Sequence, residues 1–185
     1  MRRLLTSLAV VALALAASAC GNKTAETLHG STEGSYLDLG DLKYQVQISR
    51  ILNPASVEDQ AYLVGLNAGQ RRLPAGQQWF GIFMRVENDG KKAGRAATDY
   101  SIVDTQNNRF RPIQLAPQNV FAYRGGTLAP KAVLPSPDSP AGQGTIQGSL
   151  LLFKIPVVNF ENRPLELDIR SADVPGKTAN VDLDV

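Results

Sequence analysis

Few residues in this chain have types suited to chemistry, and most of them stand alone. Cys20 is the only cysteine and His29 the only histidine in 185 residues. A thiol without a partner forms no internal disulfide and builds no cysteine-based zinc or iron–sulfur site. A single imidazole rules out a histidine-cluster metal site, and any Ser-His-Asp triad would have to use His29. Two groupings of oxygens remain. Asp182 and Asp184 lie two apart, as calcium ligands on one strand face would, and Asp104, Asn107 and Asn108 gather in one short stretch. Calcium takes about six to eight oxygen ligands, so both sets fall short, and solvent-facing strand acids and a capped turn account for them. There is no Gly-x-x-x-x-Gly-Lys, no Gly-x-Gly-x-x-Gly after a strand and no Gly-x-Ser-x-Gly elbow. Nothing sets a serine beside a lysine as a Ser–Lys hydrolase needs. The expectation is a chain with no catalytic residue, no metal and no cofactor.

Cys20 gains meaning from what precedes it. Arg2 and Arg3 form a basic start, residues 4–17 are apolar except Thr6 and Ser7, and Ala17-Ser18-Ala19 close the run. This is the order of a secretory signal, and it is too short to span a bilayer comfortably as a mature helix. Cleavage is expected between Ala19 and Cys20. Ala-Ser-Ala-Cys resembles the lipobox of bacterial lipoproteins, and the resemblance implies a diacylglycerol on the Cys20 sulfur and Cys20 as the first mature residue. The alternative is an ordinary cleaved signal followed by a chance cysteine. The only cysteine falling at this position favours the lipid. Two acyl chains are enough for stable anchoring, so the expected partner is membrane lipid through acylated Cys20. The expected location is the outer face of the bacterial cytoplasmic membrane, or the outer membrane of a two-membrane cell. Gly21 is not the aspartate that would mark inner-membrane retention. Removing residues 1–19 takes away two arginines and no acid, which leaves 17 basic against 17 acidic side chains. The surplus charge of +2 therefore belongs to the signal and gives no support for nucleic-acid binding.

The elements that follow read as strands. Residues 20–35 contain one large apolar residue, Leu28, and no periodicity, so they are expected to form a flexible tether that leaves His29 solvated. Residues 36–185 form one folded domain. Leu42, Tyr44, Val46 and Ile48 alternate with polar residues, which predicts a half-buried antiparallel strand. Phe80, Ile82, Met84 and Val86 alternate with Trp79, Gly81 and Phe83, so this second strand is expected to be central and covered on both sides at its start. Asn88-Asp89-Gly90 predicts a turn. Tyr100–Val103 and Arg109–Ile113 flank an Asp/Asn-rich turn. In residues 145–155, Ile146, Leu150 and Leu152 share one face, while Leu151, Phe153 and Ile155 share the other. Leu165, Leu167, Ile169 and then Val181, Leu183, Val185 alternate with charges. Ser56 is placed to cap one short helix in the connection 53–77, and the prolines of 125–143 predict a loop or edge excursion. Several short alternating strands with Gly, Pro and Asn turns predict an all-β sandwich or barrel. Residues 71–131 are rich in Lys and Arg and residues 155–185 in acids.

Trp79-Phe80-Gly81-Ile82-Phe83-Met84-Arg85-Val86-Glu87-Asn88 followed by Gly90 resembles the "valine-glutamate-asparagine" strand of the telokin-like bacterial lipoprotein family, domain of unknown function 4352. Gly40-Asp41-Leu42-Lys43-Tyr44, residues 100–111, and Leu151-Leu152-Phe153-Lys154-Ile155-Pro156 resemble that family's opening strand, hairpin and late strand in the same order. The resemblance covers residues 36–170. It implies an immunoglobulin-like antiparallel β-sandwich, exported and lipid-anchored, and brings no catalytic residues. It implies Trp79 and Phe80 in the core, Phe153 across the sheets and Asn88 in a turn; with the strand alternation this gives an expected structural core of Tyr44, Val46, Trp79, Phe80, Ile82, Met84, Val86 and Phe153. The function expected on these grounds is a non-catalytic binding or interaction module at the cell envelope, its partner an envelope protein or polymer. The alternative is a small-molecule carrier, or less readily an exported hydrolase, with an apolar pocket near Trp79. Replacing Cys20 with Ser is expected to move the protein from the membrane to the soluble fraction and to abolish labelling by radioactive palmitate; fractionation and labelling of the two forms side by side test this.

Overall fold

The computed structural model describes residues 25–185, so the signal segment, Ala19 and Cys20 lie outside the described residues. The chain folds as an immunoglobulin-like β-sandwich with a third, irregular layer on one sheet. In chain order the strands are β1 (His29–Gly30), β2 (Tyr36–Leu39), β3 (Leu42–Leu52), β4 (Gln77–Asn88), β5 (Gly94–Arg95), β6 (Asp99–Val103), β7 (Arg109–Phe110), β8 (Thr127–Leu128), β9 (Val133–Leu134), β10 (Ser149–Pro156), β11 (Leu165–Arg170) and β12 (Thr178–Leu183). Short helices α1 (Val57–Tyr62), α2 (Ala68–Arg71) and α3 (Pro140–Gln143), with a 3-10 turn at Val157–Glu161, sit in the connections. One sheet has the order β1-β12-β11-β6-β7. A second has the order β10-β4-β3-β2, with β9 also on β4, and β5 and β8 pair in a small third sheet. The long neighbours pair antiparallel, and β1 runs parallel to β12.

The main core lies between the two sheets. Tyr44, Val46, Phe80, Ile82, Met84, Val86 and Phe153 from one sheet meet Tyr100, Ile102, Leu165, Leu167, Ile169 and Val181 from the other. Period-two alternation puts every second residue on this face, and transfer of these side chains from water drives the two sheets together. The opposite face of β4 is apolar too. Trp79 and Phe83, with Leu150 and Leu152 of β10, form a second core under Leu66 and Leu115, with Tyr62, Phe121 and Ile146 packed against it. Tyr62 makes edge-to-face contacts with both Phe83 and Phe121, each at 4.9 Å between ring centres. The connection 53–77 and the segment 111–123 therefore act as a lid over a strand that has no polar face for most of its length. Asn119, buried, ties the two halves of this lid by donating to the carbonyls of Tyr62 and Val64 at 2.8 and 2.9 Å.

Three local expectations change. Ile48 does not share the face of Leu42, Tyr44 and Val46. Val46 pairs with Met84 and Ile48 with Phe83, so Gln47 is an extra residue and β3 has a bulge there. A bulge shifts the alternation by one, so Ile48 is 37 % exposed while Ser49 is buried. Ser56 precedes α1 in extended conformation but its side chain makes no capping bond. The buried carboxylate beside it is Asp59, which accepts from the Asn53 N–H at 2.7 Å and pairs with Arg50. Gly90 owes its place to close approach and not to left-handed backbone, because a Cβ there would lie 2.4 Å from Asp41. The 125–143 excursion contributes β8, β9 and α3 at sheet margins.

The bulge and the double-faced core give a paired expectation. Phe153→Ala, fully buried between the sheets, is expected to cost about 3–5 kcal/mol, while Ile48→Ala is expected to stay within about 0.5 kcal/mol. Urea unfolding of both variants checks this, and a large loss at Ile48 would contradict the register described.

Candidate functional site

The segment expected to be a free tether is in large part docked. From Glu26 to Ser35 it runs along the open side of the sandwich and touches both sheets. The Asp38 N–H of β2 donates to the Thr27 carbonyl at 2.7 Å, and the Asn180 N–H of β12 donates to the Leu28 carbonyl at 2.8 Å. Leu28 packs on the main core. Lys177 forms an ion pair with Glu26. Glu33 accepts from the Ser49 N–H at 2.9 Å and from the Asp184 N–H at 3.1 Å. Thr32 Oγ1 donates to Asp184 at 2.9 Å. The flexible tether over 20–35 is therefore corrected for its described part. The composition argument counts buried side-chain area, whereas this segment is held mainly by backbone bonds to two strand edges and by carboxylates on backbone N–H groups.

This docking places Thr27 at one end of the sandwich. Only six residues lie between Cys20 and Thr27 in the sequence, at most about 25 Å of fully extended chain from one to the other. Thr27 lies at the end marked by the start of β12, the end of β11 and the start of β6, since Arg170 pairs with Thr178 and Asp99. That end bears Arg95, Arg111, Arg170 and Lys177. Arg95 pairs with Asp173 at 2.8 Å, and Arg111 and Arg170 share Asp99 at 2.9 and 2.8 Å. The arginines beside Asp99 hold its carboxyl below its usual range, Arg170 having the larger effect. Two ion pairs, Arg95–Asp173 and Arg109–Asp168, join the basic middle of the sequence to its acidic end.

The opposite end is organised by Asp104. Its carboxylate, buried at the turn between β6 and β7, accepts from the Gln106 and Asn108 N–H groups, both at 2.9 Å. It also accepts from the side-chain amides of Asn108, Asn159 and Asn162 at 2.8, 2.8 and 2.9 Å. Asn159 and Asn162 belong to the connection that carries the chain from β10 in one sheet to β11 in the other. Burial pushes the Asp104 carboxyl up, but the asparagine donors outweigh it and hold the group well below the usual carboxylate range. Asn107, in left-handed conformation at φ 63°, completes the turn. Asp104, Asn107 and Asn108 thus form a structural knot and not an open ring of oxygens; the carboxylate has its lone pairs filled by amides.

The remaining expected residues fall as follows. Tyr44, Val46, Trp79, Phe80, Ile82, Met84, Val86 and Phe153 are all buried. Asn88 is also buried; its side-chain amide donates to the carbonyls of Lys92 and Leu128, both at 2.8 Å, and its Oδ1 accepts from the Gly90 N–H. Asp182 and Asp184 are not brought to one point, since Asp184 is taken by Thr32 and the backbone contact with Glu33. Trp79 lies under Lys154, whose ammonium is 5.2 Å from the ring centre. The indole borders two solvent-open depressions of about 430 and 270 Å³, one under Pro54, Leu63 and Arg71 and one beside Leu73 and Gln78. A further cavity of about 360 Å³ lies between Tyr100, Tyr123, Ile113, Leu115, Leu150 and Arg124. Tyr123 of its lining also belongs to a tyrosine cluster around Ala97: the Ala97 N–H donates to the Tyr44 hydroxyl at 2.8 Å and the Tyr123 hydroxyl donates to the Ala97 carbonyl at 2.9 Å. Burial pushes the Tyr44 phenol up to about 12. Sequence reasoning missed this cavity and the Asn119, Asn159 and Asn162 contacts, because the partners lie far apart along the chain.

No protein-family model matches the sequence, and no curated protein matches it. Solved structures with a similar fold include the yjhA protein of Bacillus subtilis, at 12 % identity and TM-score 0.48 over 83 % of this chain and 99 % of that one. An uncharacterised β-sandwich protein of Clostridium difficile 630 aligns at 10 % identity and TM-score 0.45 over 88 % and 99 % of the respective chains. The lipoprotein candidate ycdA of Bacillus subtilis aligns at 11 % identity and TM-score 0.44 over 85 % of this chain and 39 % of its own.

The Asp104 knot has a pH signature. A carboxyl held low when folded and near pKa 3.9 when unfolded stabilises the fold fully above that value, and the contribution is lost as pH falls through it toward the folded value. Asp104→Asn, which sets an amide against amide donors, is expected to cost about 2–4 kcal/mol at neutral pH and to flatten the fall in stability below about pH 4. Urea unfolding at several pH values reads both; parallel acid limbs in the two proteins would refute the assignment.

Proposed function

We propose that this protein is an exported, lipid-anchored β-sandwich that works as a non-catalytic binding module at the cell envelope, related to the telokin-like lipoprotein family. The observation that supports it best is the coupling of Cys20 to the docked segment. The lipobox-like Ala17-Ser18-Ala19-Cys20 stands within seven residues of a backbone clamp on both sheets, so a lipid at Cys20 would keep the end that carries Thr27 within about 25 Å of the membrane. The end with Lys177 and Arg170 would then lie on the membrane side. The end with the Asp104 knot would point away and present the exposed Thr105, Gln106 and Asn107 to a partner. The buried acids are consistent with a binding role, since Asp59 and Asp104 are both used in structural bonds. A carrier function near Trp79 is the weaker reading, because the indole is almost fully buried and the depressions it borders are open to solvent.

Photocrosslinking amino acids placed at Gln106 and at Val174 in intact cells test the orientation. Gln106 is expected to crosslink a discrete envelope protein or polymer, and Val174 lipid, both only when Cys20 is present. Identical products from the two positions, or products unchanged by Cys20→Ser, would overturn the proposal.

A further inference from the structure

The solvent face of the β1-β12-β11-β6-β7 sheet holds one group of side chains whose acids no ion pair among the described residues accounts for. Glu166 of β11 and Asp182 of β12 stand directly opposite each other in the antiparallel pair. His29 of β1 stands opposite Asn180 of β12, and its Nδ1 lies 2.8 Å from Asn180 Oδ1. Ligand atoms of His29, Glu166 and Asp182 all fall within 4.8 Å of one another. Three strands, two of them from opposite ends of the sequence, thus bring the only histidine of the chain to two half-buried carboxylates.

The neighbouring charges on this face are matched. Asp168, next outward residue along β11, pairs with Arg109, and Asp99 pairs with Arg111 and Arg170. Among the described residues, Glu166 and Asp182 have no ion-pair partner. Like charges directly opposite in a strand pair are destabilising, and burial together with Asp168 and Asp182 pushes the Glu166 carboxyl up. The pair lacks a cation on a face where the other close acids have one.

We propose that His29, Glu166 and Asp182 form a binding site for a divalent transition-metal ion of the Zn²⁺ class. One imidazole nitrogen and two carboxylate oxygens are a zinc donor set with a fourth position left to water. Calcium asks for more oxygens, and magnesium keeps most of its own waters. The imidazole shifts preference toward zinc and its neighbours in the first transition row. Asn180 supplies the outer contact that holds a ligating imidazole in place. The ion would neutralise the facing carboxylates and fasten β1 to β12 and β11, locking the docked segment that follows Cys20. The site stands on its own residues and does not depend on the envelope-module reading.

The test uses the full chain, without a histidine tag, in detergent near neutral pH. Zn²⁺ is titrated against a chromophoric zinc indicator, and the single imidazole of His29 is followed by NMR. One ion per chain is expected, with the His29 resonance shifting in proportion to occupancy and unmoved by Ca²⁺ or Mg²⁺. His29→Gln, Glu166→Gln and Asp182→Asn are each expected to weaken binding about tenfold or more. The two carboxamide variants keep side-chain shape, and circular dichroism confirms that they fold. A His29 resonance indifferent to Zn²⁺, or folded variants that bind as the parent does, would overturn the site.

Discussion

The architecture depends on the fact that β4 has two apolar faces. Phe80, Ile82, Met84 and Val86 demand a cover on one side, and Trp79 and Phe83 demand one on the other. A two-layer sandwich buries only one face of each sheet. The second sheet satisfies the first demand, and the second forces the connection 53–77 and the segment 111–123 to lie flat on the outer side. Those segments are irregular, so their backbone polar groups need partners. The Ile113 and Tyr123 N–H groups donate to the Leu152 and Leu150 carbonyls, both at 2.7 Å, the Ala116 N–H donates to the Gly65 carbonyl, and the Asn119 amide takes the Tyr62 and Val64 carbonyls. The lid is thus a consequence of the composition of one strand.

This is why so much of the fold is legible in the sequence. Alternation in β4, β10, β11 and β12 reports local side-chain direction, which is fixed by pleat geometry and needs no knowledge of the partner strand. Trp79 and Phe83 on the second face announce a covered strand before any cover is identified. What alternation cannot report is a change of phase. Gln47 looks like any polar residue of a half-buried strand, and only pairing with Met84 and Phe83 exposes the bulge that turns Ile48 outward.

The polar framework is less legible for a different reason. Asp104 announces itself as a turn residue, and its bonds to Gln106 and Asn108 are local. Its bonds to Asn159 and Asn162 span more than fifty residues and exist only because the chain changes sheets there. The same holds for Asn88, whose turn contact with Gly90 is readable while its bond to the Leu128 carbonyl is not. In both cases one asparagine or aspartate does a local task and a distant one with the same atoms. Residues 25–35 show the limit most plainly: a segment with one large apolar residue folds because strand edges offer it a ladder.

Those edges give the docked segment a second role. An open strand edge invites pairing with another copy, and a membrane would concentrate copies in two dimensions. Each of the four outer edges is blunted here. The first sheet ends in β1 and β7, two residues each. The outer edge of β10 is covered by residues 113–123 through bridges at Ile113 and Ala122. β2 is short and takes its outer bond from Thr27. Without residues 27–30 both β12 and β2 would be bare along one side of the sandwich, and Leu28 would leave the core open between them. A segment too polar to fold alone is suited to this place, because it can close two edges while leaving His29 and Thr32 exposed and so offers no new apolar edge in their stead.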